Sequence, residues 1–363
     1  MPLPGWLQTQ DDQGRLRFVS LTGSGATVIV NADADLARQL LGALDGTSGV
    51  EETLAAFEAG QRQIAEALLH RFVEVGILGF ADEEYATAPE RDRYLRQLEY
   101  FEDLTRDQRL ALKAQRRLAS ASFAVVGVGG VGTWTVLNLA MAGARRFILV
   151  DPDRVELSNL SRQLLFAPSD VGAPKVEAAA RWLRHFDTDI DVLPVVGAIH
   201  NSADLDDIGV VPDVIIRTAG YVPSPMGREL NRYALRSGSM SLSIGGASWG
   251  PLVGGDRRSD TDGCLGCFET VLQGSGKTFG ALANHRRQVR ETHSPVFGPS
   301  LAATASLAVR DLLLDLAGIS HSEVRGGVKL FDRGFTQLRW IDVRRHDDCP
   351  DCGDGGKRLD GRQ

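Results

Sequence analysis

The apolar positions divide the chain into a short leading stretch of mixed periodicity and a long body in which strand-like and helix-like patterns alternate. Leu16-Arg-Phe-Val-Ser and Ala26-Thr-Val-Ile-Val are short, rich in β-branched residues and separated by Gly-Ser-Gly, which predicts a hairpin. Three segments with helical spacing follow: Asp35 to Leu44, Val50 to Phe57, and Gln61 to Val75, the last with Ile64, Leu68, Phe72 and Val75 on one face. Gly76 ends that helix, and 77–80 returns as an extended segment. Strands, three helices and a short closing strand make a winged-helix plan. Basic residues do not cluster there, so the segment is a poor match for DNA.

Residues 81–92 (ADEEYATAPERD) are acidic, carry a proline and read as a linker. Arg93 to Ala119 is charged and helical. The body then alternates: strand 123–127, helix 132–142, strand 147–151, helix 175–185, strands 191–196 and 214–218. That alternation predicts an α/β, doubly wound, Rossmann-like sheet, parallel at least in its first half. The predicted organisation is a small domain at 1–80, the linker at 81–92, a main domain at 93–352 and a polar tail at 353–363.

Composition sharpens this picture. The 363 residues are 43% hydrophobic and 24% charged, enough apolar material to exclude disorder and to fill two or three cores. Lys plus Arg is 40 against 47 for Asp plus Glu, a formal charge of −7. A mildly acidic chain is ill suited to nucleic acid. No run of 18 apolar residues is present, which argues against a membrane span. The opening MPLPGWLQTQDDQG has no basic start followed by an apolar stretch, so no signal peptide is expected and the predicted location is cytoplasmic.

The four cysteines form two knuckles, Cys264-x-x-Cys267 and Cys349-x-x-Cys352, with 81 residues between them. Two such pairs supply the four thiolates of a tetrahedral zinc site. The Gly/Asp/Pro-rich surroundings, TDGCLGCFE and DDCPDCGDGG, suit tight knuckle turns. A zinc ion there would be structural, because all four positions are filled. The competing reading is two redox dithiols. It is disfavoured because neither pair is expected to open a helix after a strand, as a thioredoxin-type site does. No cysteine then remains to act as a nucleophile.

Phe123-Ala-Val-Val-Gly127-Val-Gly129-Gly130-Val-Gly132 is a strand running into G-x-G-x-x-G and a helix. Glycines permit a tight turn and close approach to phosphate, and the helix N-terminus offers free N–H groups. Asp151 ends the next strand, 24 residues after Gly127, where a carboxylate can accept from ribose hydroxyls. Taken alone, this fits NAD as well as ATP. Arg162 and Lys175, which follow at Ser158-Asn159-Leu-Ser-Arg162-Gln163 and Gly172-Ala-Pro-Lys175, suit a triphosphate and its pyrophosphate leaving group.

With Arg93-Tyr-Leu-Arg96-Gln97 upstream, Asp151-Pro-Asp153-Arg-Val-Glu-Leu-Ser158-Asn159 and the paired knuckles, the chain closely resembles the ThiF/MoeB/ubiquitin-activating superfamily of adenylating enzymes over about 93–352. The resemblance implies that Gly127, Gly129, Gly130 and Gly132 form the phosphate loop and that Asp151 holds the ribose. It implies that Asn159, Arg162, Gln163 and Lys175 line the nucleotide, with Arg162 and Lys175 catalytic. Arg96 would reach the active site of the other subunit of a homodimer, and the four cysteines would hold structural zinc. The reaction implied is attack by a substrate carboxylate on the α-phosphorus of ATP, with Mg2+ present.

Two departures narrow the family reading. The sulfur-transfer and ubiquitin-type members carry a nucleophilic cysteine after the first knuckle, and 268–348 has none. The family also carries a magnesium-binding Asp after the strand equivalent to 214–218, where Gly220 stands here. With the leading domain, which resembles leader-peptide clamps, the plan is similar to MccB/PaaA-type peptide-modifying enzymes. The resemblance implies adenylation of a carboxylate on a ribosomally made precursor peptide, followed by attack of a substrate nucleophile. The alternatives are a catalytically reduced partner that delivers leader peptides to a cyclodehydratase, and a sulfur-carrier adenylyltransferase. A basic stretch at 274–298, with Lys277, His285, Arg286, Arg287, Arg290 and His293, is either a substrate-receiving loop or a solvated surface.

Overall fold

The computed structural model describes residues 3, 5–20, 27–30, 33–46, 48–219, 225–255, 259–274, 296–332 and 334–353. It divides into two compact units, Met1–Arg117 and Leu118–Gln363.

The first unit opens with an antiparallel sheet of β1 (Trp6–Gln10), β2 (Leu16–Ser20) and β3 (Thr27–Ile29), in that order. The expected hairpin is present, with Arg17 opposite Ile29 and Phe18 opposite Val28. β1 was not anticipated: its side chains are half-buried or exposed, so no apolar alternation marks it. Helices α1 (Ala34–Ala43), α2 (Val50–Ala55) and α3 (Ala59–Glu74) follow. The Asp33 carboxylate starts α1 by accepting from the Asp35 and Leu36 N–H groups. Leu16, Phe18, Leu36, Leu40, Leu54, Leu68, Phe72 and Ile77 fill the core, with Phe18 and Phe72 edge to face at 5.6 Å. The predicted apolar face of the third helix needs one correction: Ile64 is exposed, and Ala65 takes the buried position. The 77–80 segment forms isolated bridges at Leu78 and Phe80, the latter to Asp107, rather than a strand.

Three further helices complete this part: α4 (Glu83–Thr87), α5 (Glu90–Thr105) and α6 (Gln108–Ser120). The long helix expected from residue 93 is two helices. Arg106 adopts a left-handed φ of 58° and caps α5, and the Asp107 carboxylate accepts from Leu110 N–H to start α6.

The second unit is built on five parallel strands: β4 (Ser122–Val126), β5 (Arg146–Val150), β6 (Asp191–Val195), β7 (Val214–Arg217) and β8 (Met240–Ser243). Their order is β6-β5-β4-β7-β8, a doubly wound sheet. β4 is buried along its whole length, as a strand covered on both faces must be. β6 is an edge strand, and Pro194 within it removes a donor that would invite further pairing. Helices α7 (Gly130–Met141) and α8 (Lys175–Phe186) follow β4 and precede β6, while α9 (Ala203–Asp206) and α10 (Pro225–Ser237) flank β7. A small antiparallel sheet, β9 (Ser248–Trp249), β10 (Gly327–Phe331) and β11 (Leu338–Asp342), stands beside the main one. Helix α11 (Leu265–Gly274) and the long α12 (Gly298–Leu316) complete the unit, α12 packing on α7. The chain reverses direction across the sheet between β4 and β7, the position at which such sheets open a crevice at their carboxyl ends.

Candidate functional site

The turn after β4 is shaped by its glycines. Gly127 has φ 98°, a conformation that disfavours side chains, and a Cβ there would lie 2.6 Å from Ala219 Cβ. A Cβ on Gly132 would strike Gly127 O, so that glycine lets α7 approach the strand end. Gly129 is different: a Cβ there would find only Gln163 Nε2, at 3.9 Å. This open side is where backbone can approach a phosphate, at the N-terminus of α7.

Asp151 ties the turn to the end of β5. Its carboxylate accepts from Val128 N–H at 2.6 Å and from Asp153 N–H at 2.8 Å. A carboxylate has about four acceptor sites, so capacity remains for ribose hydroxyls. Asn159 sits in a short 3-10 turn (Leu157–Ser161), where its Oδ1 accepts from Glu156 N–H at 3.1 Å. The Arg162 stem passes the Gly130 side of the loop, and Nη1 donates to Ser158 O at 2.8 Å. Gln163 is buried, and its Oε1 has no hydrogen-bond partner. An unmet buried acceptor beside the open face of the loop fits a ligand that donates there. Lys175 opens α8 with its side chain 8% exposed, and its Nζ meets Asp153 Oδ2 at 2.8 Å. A buried ammonium with one solvent-facing carboxylate partner can exchange that partner for a phosphate.

The structure therefore places Asp151 against the glycine turn through Val128, Gly129 with Gln163, Gly130 with Arg162, and Lys175 with Asp153. Arg96 lies on α5 in the first unit, its side chain 91% exposed and paired with Glu99 at 2.9 Å. Gly220 and the basic residues Lys277, His285, Arg286, Arg287, Arg290 and His293 lie outside the described residues.

Sequence reasoning assigned no role to Arg217, which ends β7. It is buried, donates from Nε to Ser243 Oγ and from Nη1 to Ala219 O, each at 3.1 Å. Burial lowers its pKa to about 10, partly offset by the field of Glu269. Beside it, Thr218 Oγ1 donates to Gly127 O at 2.5 Å. Both residues brace the loop from the β7 side, and no apolar pattern could have announced them.

The four cysteine sulfurs converge within 4.8 Å of one another. Cys264 and Cys349 are 3.6 Å apart, Cys267 and Cys352 3.4 Å, and Cys264 and Cys267 3.9 Å. Tetrahedral zinc with ~2.3 Å bonds to sulfur sets these edges near about 3.8 Å, so the cluster fits that ion. His346 N–H also donates to Cys267 Sγ at 3.4 Å. The first pair opens a helix, with Cys264 just ahead of α11 and Cys267 in its first turn, but among the described residues no strand runs directly into it, β9 ending at Trp249. Convergence of two distant knuckles speaks most strongly against separate redox dithiols.

Comparison with known proteins agrees with this geometry. The ThiF family model matches residues 94–351, and the chain belongs to the ThiF family. The sulfur carrier protein adenylyltransferase of Thermus thermophilus is 30% identical over 276 residues, covering 74% of this chain and 93% of that one. The fold is that of E. coli MccB, solved with ATP: TM-score 0.75 and 20% identity, with 97% of this chain and 98% of that chain covered. PaaA has the same fold, with TM-score 0.67 and 21% identity over 94% of this chain and 99% of that one. No helix among the described residues is long and apolar enough to cross a membrane.

Proposed function

We propose that the chain is an ATP-dependent adenylyltransferase that activates a carboxylate on a ribosomally made precursor peptide. The observation that carries this reading is the division of labour among its residues. All four cysteines are committed to one cluster, while the loop at 127–132, Asp151, Gln163, Arg162 and Lys175 keep the chemistry of a nucleotide cradle. An enzyme so built can form an acyl-adenylate but has no thiol with which to relay it.

In this reading Asp151 holds the ribose, and the 127–132 loop with Arg162 and Lys175 neutralises the phosphates. A substrate carboxylate oxygen attacks the α-phosphorus, the bond to the β-phosphate breaks, and pyrophosphate leaves. A nucleophile on the substrate then attacks the activated carbonyl, loses its proton and expels AMP, giving a ring; a nucleotide–peptide bond would need a second ATP, whose α-phosphorus a peptide nitrogen attacks with loss of pyrophosphate. Mg2+ would accompany the triphosphate. Zinc in the cysteine cluster would hold α11 to the 349–352 knuckle and take no part in the reaction. The leading residues, 1–80, would serve as the leader clamp. β1 and β3 are the edges of their sheet, and an extended peptide can add to such an edge through main-chain hydrogen bonds. Arg96 would act across a homodimer. E. coli MccB, described as a Microcin C7 biosynthetic enzyme and solved with MccA and with a succinimide, matches the fold over 97% of this chain, its leading residues included.

An isotope experiment tests the carboxylate step. Peptides encoded beside the gene are labelled with 18O in their carboxylates and incubated with ATP. AMP carrying one 18O supports the proposal, and unlabelled AMP refutes attack by the carboxylate. Sulfur-carrier activation is the second reading, favoured by the Thermus relative. Label transferred only from a small carrier protein ending in Gly-Gly would establish it instead.

A further inference from the structure

The turn that joins β10 to β11 holds a strained aromatic residue. Phe335 has a φ of 57°, a left-handed conformation that bulky side chains rarely adopt. Asp332 fixes it there. Its carboxylate accepts from Thr336 N–H at 2.7 Å, Thr336 Oγ1 at 2.9 Å and Gln337 N–H at 2.8 Å, and its main-chain O accepts from Phe335 N–H at 3.0 Å. The result is a stack: the Phe335 and Phe331 rings lie 4.8 Å apart and 24° from parallel, and Phe331 meets Trp249 at 5.9 Å. Both phenylalanines remain half-buried. Backbone strain that the surroundings impose in this way gathers at binding sites.

Pairing sets Leu338 opposite Phe331 and Trp340 opposite Lys329, so these four share one face of the β9–β10–β11 sheet. α12 closes one part of that face, where Asp311 accepts from Trp249 Nε1 at 2.9 Å and from Lys329 Nζ at 3.1 Å. The β11 part is open, with Leu338 47% and Trp340 49% exposed. The stack adjoins the crevice of the main sheet. Phe331 N–H donates to Ala247 O at 2.8 Å, in the turn that leaves the carboxyl end of β8. In the same turn a Cβ on Gly246 would lie 3.4 Å from one methyl of Leu301, and a Cβ on Gly130 would lie 2.6 Å from the other. One leucine and one turn thus separate the aromatic stack from the nucleotide loop, a gap that a few residues of extended peptide span at about 3.3 Å each. We infer that Phe335 and Phe331 form a ledge that selects the substrate, packing a large apolar or aromatic side chain of the peptide a few residues from the carboxylate that is activated. Leu338 and Trp340 extend the ledge. The inference rests on the peptide-adenylation reading and narrows its substrate class.

The test is a double-substitution cycle between the full zinc-loaded chain and the short peptides encoded beside its gene. Each large apolar residue of a peptide is changed to alanine in turn and assayed with the wild type, Phe335→Gly and Phe335→Tyr. Glycine takes a φ of 57° without strain, so Phe335→Gly keeps the turn while losing the ring. Calorimetry reports peptide affinity, and ATP–pyrophosphate exchange reports KM for peptide and for ATP. One apolar-to-alanine change is expected to weaken peptide binding by about tenfold or more in the wild type and in Phe335→Tyr, with KM for ATP unchanged, and to have no effect in Phe335→Gly. A loss that persists in Phe335→Gly, or no position-specific loss at all, overturns the ledge and leaves adenylation intact. The expected binding pattern without any exchange refutes adenylation and supports the ledge. Unchanged peptide binding by Phe335→Gly, with a shift from dimer to monomer in sedimentation, overturns the inference and assigns the face to a second copy of the chain.

Discussion

At the residue scale the nucleotide reading turns on Asp151, which holds the loop through Val128 and Asp153 and keeps acceptor capacity for a ribose. Asp151→Ala removes both functions. Two charge-assisted hydrogen bonds to a ribose are worth roughly 3 kcal/mol or more, so calorimetry is expected to show ATP affinity falling by about a hundredfold at least, to the point of no detectable binding. Unchanged affinity would sink the cradle. Asp151 was legible in the sequence because a carboxylate at a strand end, after a glycine turn, has a fixed chemical meaning. The cysteines were legible for the same reason. Arg217, Glu269 and Asp351 were not: their meaning comes from partners on other elements, such as Asp351 with Arg228, 123 positions away. Gln163 was named from the motif, and the structure adds its unmet acceptor.

Elements were legible where burial is two-sided or strictly periodic. β4, β5 and α8 follow their apolar patterns closely. β1 and β11 do not, because most of their side chains face solvent. The break between α5 and α6 was hidden because Thr105, Arg106 and Asp107 cap rather than pack. The α4–α5 contact carries a buried acid, Glu102, which accepts from Tyr85 Oη at 3.0 Å and Gln108 Nε2 at 3.2 Å. Burial pushes its carboxyl above the ordinary range, against those two hydrogen bonds. The folded chain then binds this proton more tightly than the unfolded chain, so stability falls as pH rises from the ordinary glutamate pKa through the raised one, and is level above it. Urea melts across that window are expected to show this decline in the wild type and a flatter profile in Glu102→Gln. An identical slope in both would remove Glu102 as its source.

At the scale of the molecule, the doubly wound sheet was legible from strand–helix alternation, and all five of its strands prove parallel. The small β9–β10–β11 sheet escaped notice because β9 lies about 80 residues before β10 and pairs with it only after folding, while the neighbouring β11 has mostly exposed side chains and no apolar alternation. The proposed homodimer has a test of its own. Arg96→Ala and Lys175→Ala chains, each inactive alone, are co-refolded in equal amounts. If Arg96 completes the partner's site, random pairing restores one intact site in half the dimers, about a quarter of wild-type activity. No recovery would place Arg96 in its own subunit's site or in none. The central claim is adenylation of a peptide carboxylate, and ATP–pyrophosphate exchange tests it most directly. Zinc-loaded protein is assayed with and without the short peptides encoded beside its gene. The account predicts exchange that requires both Mg2+ and peptide, whereas tight peptide binding with no exchange under any condition would contradict it and make the chain a leader-delivery partner.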